Sequence, residues 1–229
     1  QQNQAQSFGV SFRNQKGVPQ LWNPVNGEIS IPSRCQQSNG RVHISLDLNS
    51  YESVFVVFGE QAPDGLAKQL QAMNSYSTSD IPFNWKISFQ SNKQHIETTT
   101  LFDWSKSENP LIKYYSGTAI YQSNFTWKKN NTDVLINLGK ISNLATVHLN
   151  GINCGTAWTA PYEVNITKAL NEGTNLLEIE VTNTWANAIN GWDKGTPPFE
   201  GIWTDGKYRL KEDKLLEAGL MGPVTIIRK

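Results

Sequence analysis

An all-β sandwich or jelly roll is the fold class this sequence predicts. Apolar residues recur at every second position along most of its 229 residues, as in strands half-buried on one face. Asn150-Gly151, a dipeptide suited to the two positive φ angles of a type I′ hairpin, stands between two such runs. Helical spacing is confined to short stretches. Many short strands, tight turns and little helix make a sandwich or jelly roll.

In the N-terminal part, Phe8, Val10 and Phe12 alternate with Gly9 and Ser11, and Val42, Ile44, Leu46 and Leu48 alternate with His43, Ser45 and Asp47. The run Ser53 to Phe58 is apolar on both faces, so each side needs cover. A few strands do not provide that alone. Residues 1–61 are therefore expected to be a small β-sheet unit that either packs on a second domain or, the reading preferred here, is the remainder of an upstream β-sandwich. Residues 62–80 read as a linker, with a short helix in which Leu66, Leu70 and Met73 share a face and Asp64 caps, then a polar stretch from Asn74 to Asp80.

Residues 81–229 resume the strand pattern as one jelly roll. Phe83, Trp85, Ile87 and Phe89 alternate; Tyr115 to Trp127 is long enough for a full strand; Val134, Ile136 and Leu138 make another. A two-residue turn at Asn150-Gly151 pairs Leu149 with Ile152 and Val147 with Cys154, which places Cys154 in the apolar layer. Tyr162, Val164 and Ile166 form a short strand. Thr167 to Gly173 reads as one helical turn capped by Thr167 and stopped by Gly173. Leu177, Ile179 and Val181 resume the sheet. Asn183 to Met221 is a loop of about forty residues, long enough to suggest a function. Gly222-Pro223 then opens the closing strand, Val224 to Ile227.

Composition removes several classes of function. The formal net charge is zero, with no basic block, so a nucleic-acid partner is not expected. No apolar run approaches the roughly 18–20 residues of a membrane span. The two cysteines, Cys35 and Cys154, form no C-x-x-C pair, and their placement in different units predicts two free thiols. The chain opens QQNQAQ without an initiator Met, as after removal of a leader or in an excerpt of a longer protein.

Enzyme motifs are sparse: there is no G-x-S-x-G elbow, P-loop or H-E-x-x-H, and His43 and His148 fall on the polar side of their strands. Sugar hydrolysis needs paired carboxylates, and Asp193, Glu200 and Asp205 share the long loop. Solvated loop acids are the competing reading, and no catalytic residue is assigned. Their spacing matches no calcium loop, so no metal or cofactor is expected. The eight tryptophans bear on binding, because sugar C–H faces stack on aromatic rings. Trp85, Trp127 and Trp158 fit core strand positions. The long loop supplies the carbohydrate-binding candidates: Trp185, Asn187, Trp192, Asp193, Glu200 and Trp203. Packing of those rings onto the sheet is the alternative.

A set of motifs gives a more specific comparison. Leu138-Gly139, Val147-His-Leu-Asn-Gly151, Gly155-Thr-Ala-Trp158, Ala160-Pro-Tyr162, Ile166-Thr167 and Asn183-Thr-Trp185, in that order, resemble the sugar-binding domain of glycoside hydrolase family 2. The variant most like it ends large bacterial enzymes similar to the family 106 α-L-rhamnosidases. Tyr114-Tyr-Ser-Gly-Thr-Ala119 and Gly219-Leu-Met-Gly-Pro-Val224 fit the same pattern. Leu21-Trp-Asn-Pro-Val-Asn-Gly27 and Ser53 to Phe58 resemble the β segment before it.

The resemblance implies a galactose-binding-like jelly roll, a catalytic domain before Gln1 in the same polypeptide, and a periplasmic or secreted setting. The pattern breaks after Trp185. Family members carry Asn-Arg and then Gly-Asp, whereas here Ala188 follows Asn187 and Trp192 follows Gly191. Three readings follow: an accessory region of a glycoside hydrolase, structural or weakly carbohydrate-binding; a free-standing carbohydrate-binding or lectin-like protein; or a small glycosidase using the loop acids.

Overall fold

The alternating runs fold as strands in two units, Gln1–Ser75 and Tyr76–Lys229. The computed structural model describes residues 4–13, 16–49, 51–60, 77–79, 82–128, 132–206, 210 and 214–228.

In the first unit, β1 (Gln6–Phe12), β2 (Val18–Trp22), β3 (Ile29–Ser30), β4 (Cys35–Ser38), β5 (Arg41–Leu48) and β6 (Phe55–Gly59) form two antiparallel sheets, ordered β1-β5-β4 and β3-β2-β6. Val42, Ile44 and Leu46 of β5 are buried against Val10 and Phe12 of β1 and against Leu21, Val56 and Phe58 of the other sheet. The Phe12 and Phe58 rings meet edge to face at 5.4 Å. One face of the apolar run is thus covered from within the unit, while Phe55 is 63% exposed. The sequence pattern marks β1, β5 and the apolar run that becomes β6. It passed over β2, which contains Pro19, and the polar β4, whose hairpin to β5 turns on Asn39-Gly40 at φ 47° and 68°.

The helix expected around Leu66 to Met73 lies outside the described residues. Ser77–Ser79, expected in the polar linker, is instead a strand, β7, paired with the C-terminal strand of the second unit.

The second unit contains β8 (Trp85–Phe89), β9 (His95–Thr98), β10 (Thr118–Trp127), β11 (Val134–Asn137), β12 (Lys140–Ile141), β13 (Leu144–Leu149), β14 (Ile152–Ala157), β15 (Glu163–Asn165), β16 (Gly173–Thr182), β17 (Leu220–Gly222) and β18 (Thr225–Arg228). A six-stranded antiparallel sheet runs β14-β13-β16-β10-β8-β9, a four-stranded one β15-β11-β18-β7, and β12 pairs with β17. The two larger sheets share one core and make the predicted all-β sandwich. Its spine is the ten-residue pairing of β10 with β16, from Thr118 opposite Thr182 to Trp127 opposite Gly173. Ile87, Tyr121, Val147, Leu149, Leu177 and Ile179 bury their side chains against Ile136, Val164 and Ile226 of the other sheet. Full burial of each large aliphatic contributes roughly 1.5–3 kcal/mol.

The Asn150-Gly151 turn forms as expected, with φ 53° and 78° and Leu149 opposite Ile152. The Asn150 side chain also donates to the Ala169 carbonyl and to Asn175 Oδ1, both at 2.8 Å, and accepts from the Leu176 amide. Beyond the turn the expected register fails. A bulge between Val147 and His148 puts Gly155, not Cys154, opposite Val147. One extra residue inverts the facing of everything after it. Cys154, the extra residue of the bulge, is half-buried but still packs against the core as expected, while beyond it Ala157 points inward and Trp158, assigned to the core by alternation, is 58% exposed. Trp85 and Trp127 are core residues, at 2% and 3% exposure. Cys35 and Cys154 are both free thiols, and burial pushes the Cys154 thiol pKa up.

Thr167 does not cap its turn. Its hydroxyl bonds the Val134 amide (2.8 Å) and carbonyl at the start of β11, and the short 3-10 turn stops at Ala169, before Gly173. Two helices went unpredicted: α1 (Pro110–Lys113) and α2 (Ala186–Asp193), the latter inside the stretch read as loop.

Candidate functional site

At one end of the six-stranded sheet, β16 hands the chain to the segment that holds the sugar-binding candidates. Asn183, buried at 8% exposure, fixes the exit. Its Oδ1 accepts from the Gly117 amide (2.8 Å) and its Nδ2 donates to the Tyr115 carbonyl (3.0 Å), tying the end of β16 to the entry of β10. Three residues later α2 begins. Its sequence, Ala-Asn-Ala-Ile-Asn-Gly-Trp-Asp, has weak helix propensity and no side-chain N-cap. Tertiary bonds hold it instead: the Ala188 amide donates to Ser116 Oγ (3.0 Å), and Gly191 lies on the Tyr114 ring. A Cβ at Gly191 would sit 2.6 Å from Tyr114 Cγ, so glycine is required for helix and sheet end to approach this closely. Gly195, at φ 73°, ends the helix, as glycine does past a helix C-terminus.

Around this helix the six candidates take different positions. Trp185 is 54% exposed and lies edge-on to Phe199 at 5.8 Å. Phe199 meets Tyr115 at 6.0 Å and Tyr115 meets Phe89 at 4.8 Å, so aromatic contacts run from the core to the surface indole. Trp203 is 73% exposed, beside the buried Ile202 that anchors its segment. Asp193 and Glu200 are exposed, and Trp192 is half-buried.

Asn187 is not available to a ligand. It is 2% exposed, its Nδ2 donates to the Leu216 carbonyl (2.8 Å) and its Oδ1 accepts from the Leu216 amide (2.9 Å). A side-chain amide here imitates a strand neighbour, satisfying two backbone groups. Asn187→Ala is expected to destabilise the protein by about 2 kcal/mol, the cost of leaving buried polar groups unpaired, with any glycan affinity unchanged. Urea unfolding of the variant checks this; equal stability to wild type would contradict the assignment.

Sequence reasoning missed Trp158, because the bulge in its hairpin leaves no sign in the alternation. The loop acids Asp193, Glu200 and Asp205 are all exposed. Among the described residues, no group of three or more His, Cys, Asp or Glu is placed to hold a metal ion, and no helix is long and apolar enough to cross a membrane.

The sandwich, with its loop-bearing end, matches a family model over residues 85–211, that of the glycosyl hydrolase 2 galactose-binding domain-like family. The chain belongs to this family. A Formosa agariphila protein named "Putative beta-glucuronidase" is 34% identical over 172 residues, which take in 62% of this chain and 15% of that protein. The structure of a rhamnosidase from Novosphingobium sp. PP1Y superposes with a TM-score of 0.80 at 33% identity, over 100% of this chain and 22% of that one. A Ruminococcus gnavus β-glucuronidase shares the fold alone, with a TM-score of 0.51 at 15% identity over 69% of this chain and 29% of its own. The chain thus corresponds to a fragment of the longer glycoside hydrolases it resembles.

Proposed function

We propose that this chain is a non-catalytic accessory region of a larger glycoside hydrolase acting on plant or host polysaccharides. Its catalytic domain lies upstream in the same polypeptide, residues 1–61 complete a β-sandwich there, and the whole protein is periplasmic or secreted. The region is structural or weakly carbohydrate-binding, and glycan meets the segment after β16.

The observation that carries this reading is the pair of exposed indoles, Trp185 and Trp203, on one segment of a family jelly roll. A sugar ring offers C–H groups that stack on an indole left open to solvent, as both of these are. The acids nearby suit hydrogen bonding to hydroxyls better than catalysis. A glycosidase needs two carboxyl groups held rigidly on either side of the bond, one kept protonated by its surroundings. Asp193, Glu200 and Asp205 are instead exposed residues of a single segment.

Oligosaccharide titration followed by tryptophan fluorescence tests the proposal. Wild type is expected to bind with Kd on the order of tens of micromolar to millimolar, because a small solvated ligand offers few atoms. Trp203→Ala should weaken that binding tenfold or more while leaving stability within about 0.5 kcal/mol, as for other surface changes. Intact binding with a melting temperature several degrees lower would make the ring structural and the site wrong.

A further inference from the structure

The two units use the polar side chains of their sheets differently. On the six-stranded sheet of the second unit these groups bond to one another across strands. Thr118 meets Thr182 at 2.7 Å, Thr146 meets Thr156 at 2.9 Å, and Gln122 Nε2 donates to Glu178 at 2.7 Å. On the β1-β5-β4 sheet of the first unit, Val42, Ile44 and Leu46 turn to the core, so His43 and Ser45 share the opposite face. Register sets that face in two rows. Ser11, His43 and Gln36 form one; Gly9, Ser45 and Arg34 form the other, closed by the Ser45 amide donating to the Arg34 carbonyl at 3.2 Å. Among the described residues, the side chains of Ser11, Arg34, Gln36, His43 and Ser45 have no hydrogen-bond or ion-pair partner.

Both rows line an open cleft of about 830 Å³. That volume falls within the roughly 300–1,000 Å³ of small-molecule sites. Gly9, Ser11 and Ser45 contribute little bulk, and a Cβ at Gly9 would meet nothing within 4 Å, so the middle of the cleft is open. Arg34 keeps its charge at any physiological pH. Asp47, the next acid along this face, stands opposite Ser7, outside the cleft, and forms no ion pair with Arg34. A guanidinium holds a carboxylate through two parallel hydrogen bonds. Hydroxyl, amide and imidazole groups both donate and accept, as sugar hydroxyls do. No Phe, Tyr or Trp is among the described residues lining the cleft, so recognition there is by hydrogen bonds and not by stacking.

We propose that this cleft binds a sugar acid. Arg34 takes the carboxylate, while Ser11, Gln36, His43 and Ser45 take the hydroxyls. The site belongs to the other unit from Trp185 and Trp203, and it stands or falls apart from the glycan reading given for them.

The test titrates the whole chain with glucuronate, neutral glucose and acetate, followed through the NMR shifts of the Gly9, Gln36 and Ser45 amides. Glucuronate should shift all three saturably, with Kd of about millimolar for so small a solvated ligand. Glucose and acetate, each lacking half of the recognised groups, should bind about tenfold more weakly or not at all. Arg34→Gln should lower the glucuronate affinity about tenfold, the worth of a charge-assisted hydrogen bond. Gly9→Val should abolish the shifts by filling the cleft, and valine suits a strand position, so the variant folds. Silent amides overturn the proposal, as do glucuronate shifts that survive in either variant. Acetate or glucose binding as tightly as glucuronate also overturns it, because the cleft would then read only a charge or only hydroxyls. Any of these results leaves the Trp203→Ala test of the second unit untouched.

Discussion

Gly219→Ala is expected to destabilise the second unit by about 3–4 kcal/mol, whereas Gly201→Ala should cost only about 1 kcal/mol. Both glycines hold positive φ, 100° and 82°, so both variants carry the backbone strain of an L-residue in that region. They differ in space. A Cβ at Gly201 meets nothing within 4 Å, while one at Gly219 would lie 2.5 Å from Cε2 and 2.8 Å from Cδ1 of the Trp104 indole. That ring has nowhere to go. It is fully buried, with Phe89 5.1 Å away edge-on and Tyr115 at 5.7 Å, and its Nε1 donates to Tyr121 Oη at 2.7 Å. Overpacking costs typically 1–3 kcal/mol, in addition to the 1–2 kcal/mol of backbone strain. Parallel thermal and urea unfolding of the two variants measures the difference; equal losses would mean that the indole yields.

The same cluster shows what the sequence discloses and what it hides. Strands whose residues alternate were visible as strands, because the period of two is a local property of the chain. The hairpin at Asn150-Gly151 was visible for the same reason. The bulge at Val147 and His148 was not, since an extra residue in one strand is defined only against its partner, and it turned Trp158 from an expected core residue into an exposed one. Helix α2 was hidden because its residues favour helix weakly, and Ser116, Tyr114 and Leu216, distant in sequence, hold it in place. Of the sugar-binding candidates, Trp185 and Trp203 stand exposed, Trp192 is half-buried and Asn187 is buried. An amide spent on one backbone neighbour is indistinguishable, in sequence, from an amide offered to a ligand.

Tyr121→Phe is expected to cost about 3 kcal/mol and to change how stability depends on alkaline pH. In the wild type one phenol oxygen accepts from Trp104 Nε1 (2.7 Å) and from the Leu220 amide (3.1 Å), joining β10 to β17 through the core. Phenylalanine keeps the ring and leaves both donors buried without a partner, each costing roughly 1–3 kcal/mol. Burial also raises the phenol's pKa above its ordinary value of 10.0, more than the two hydrogen bonds lower it. Below pH 10 the native and unfolded states both keep the proton, so this group adds no pH dependence. Above pH 10 the unfolded phenol ionises while the native one does not. The unfolded state then binds fewer protons, and stability falls as pH rises, by up to about 1.4 kcal/mol per unit. Tyr121→Phe removes that component. Urea midpoints from pH 7 to 11 should therefore show a variant that is less stable throughout but declines less steeply above pH 10. An unchanged alkaline slope would mean that the buried phenol gives up its proton as readily as a free one.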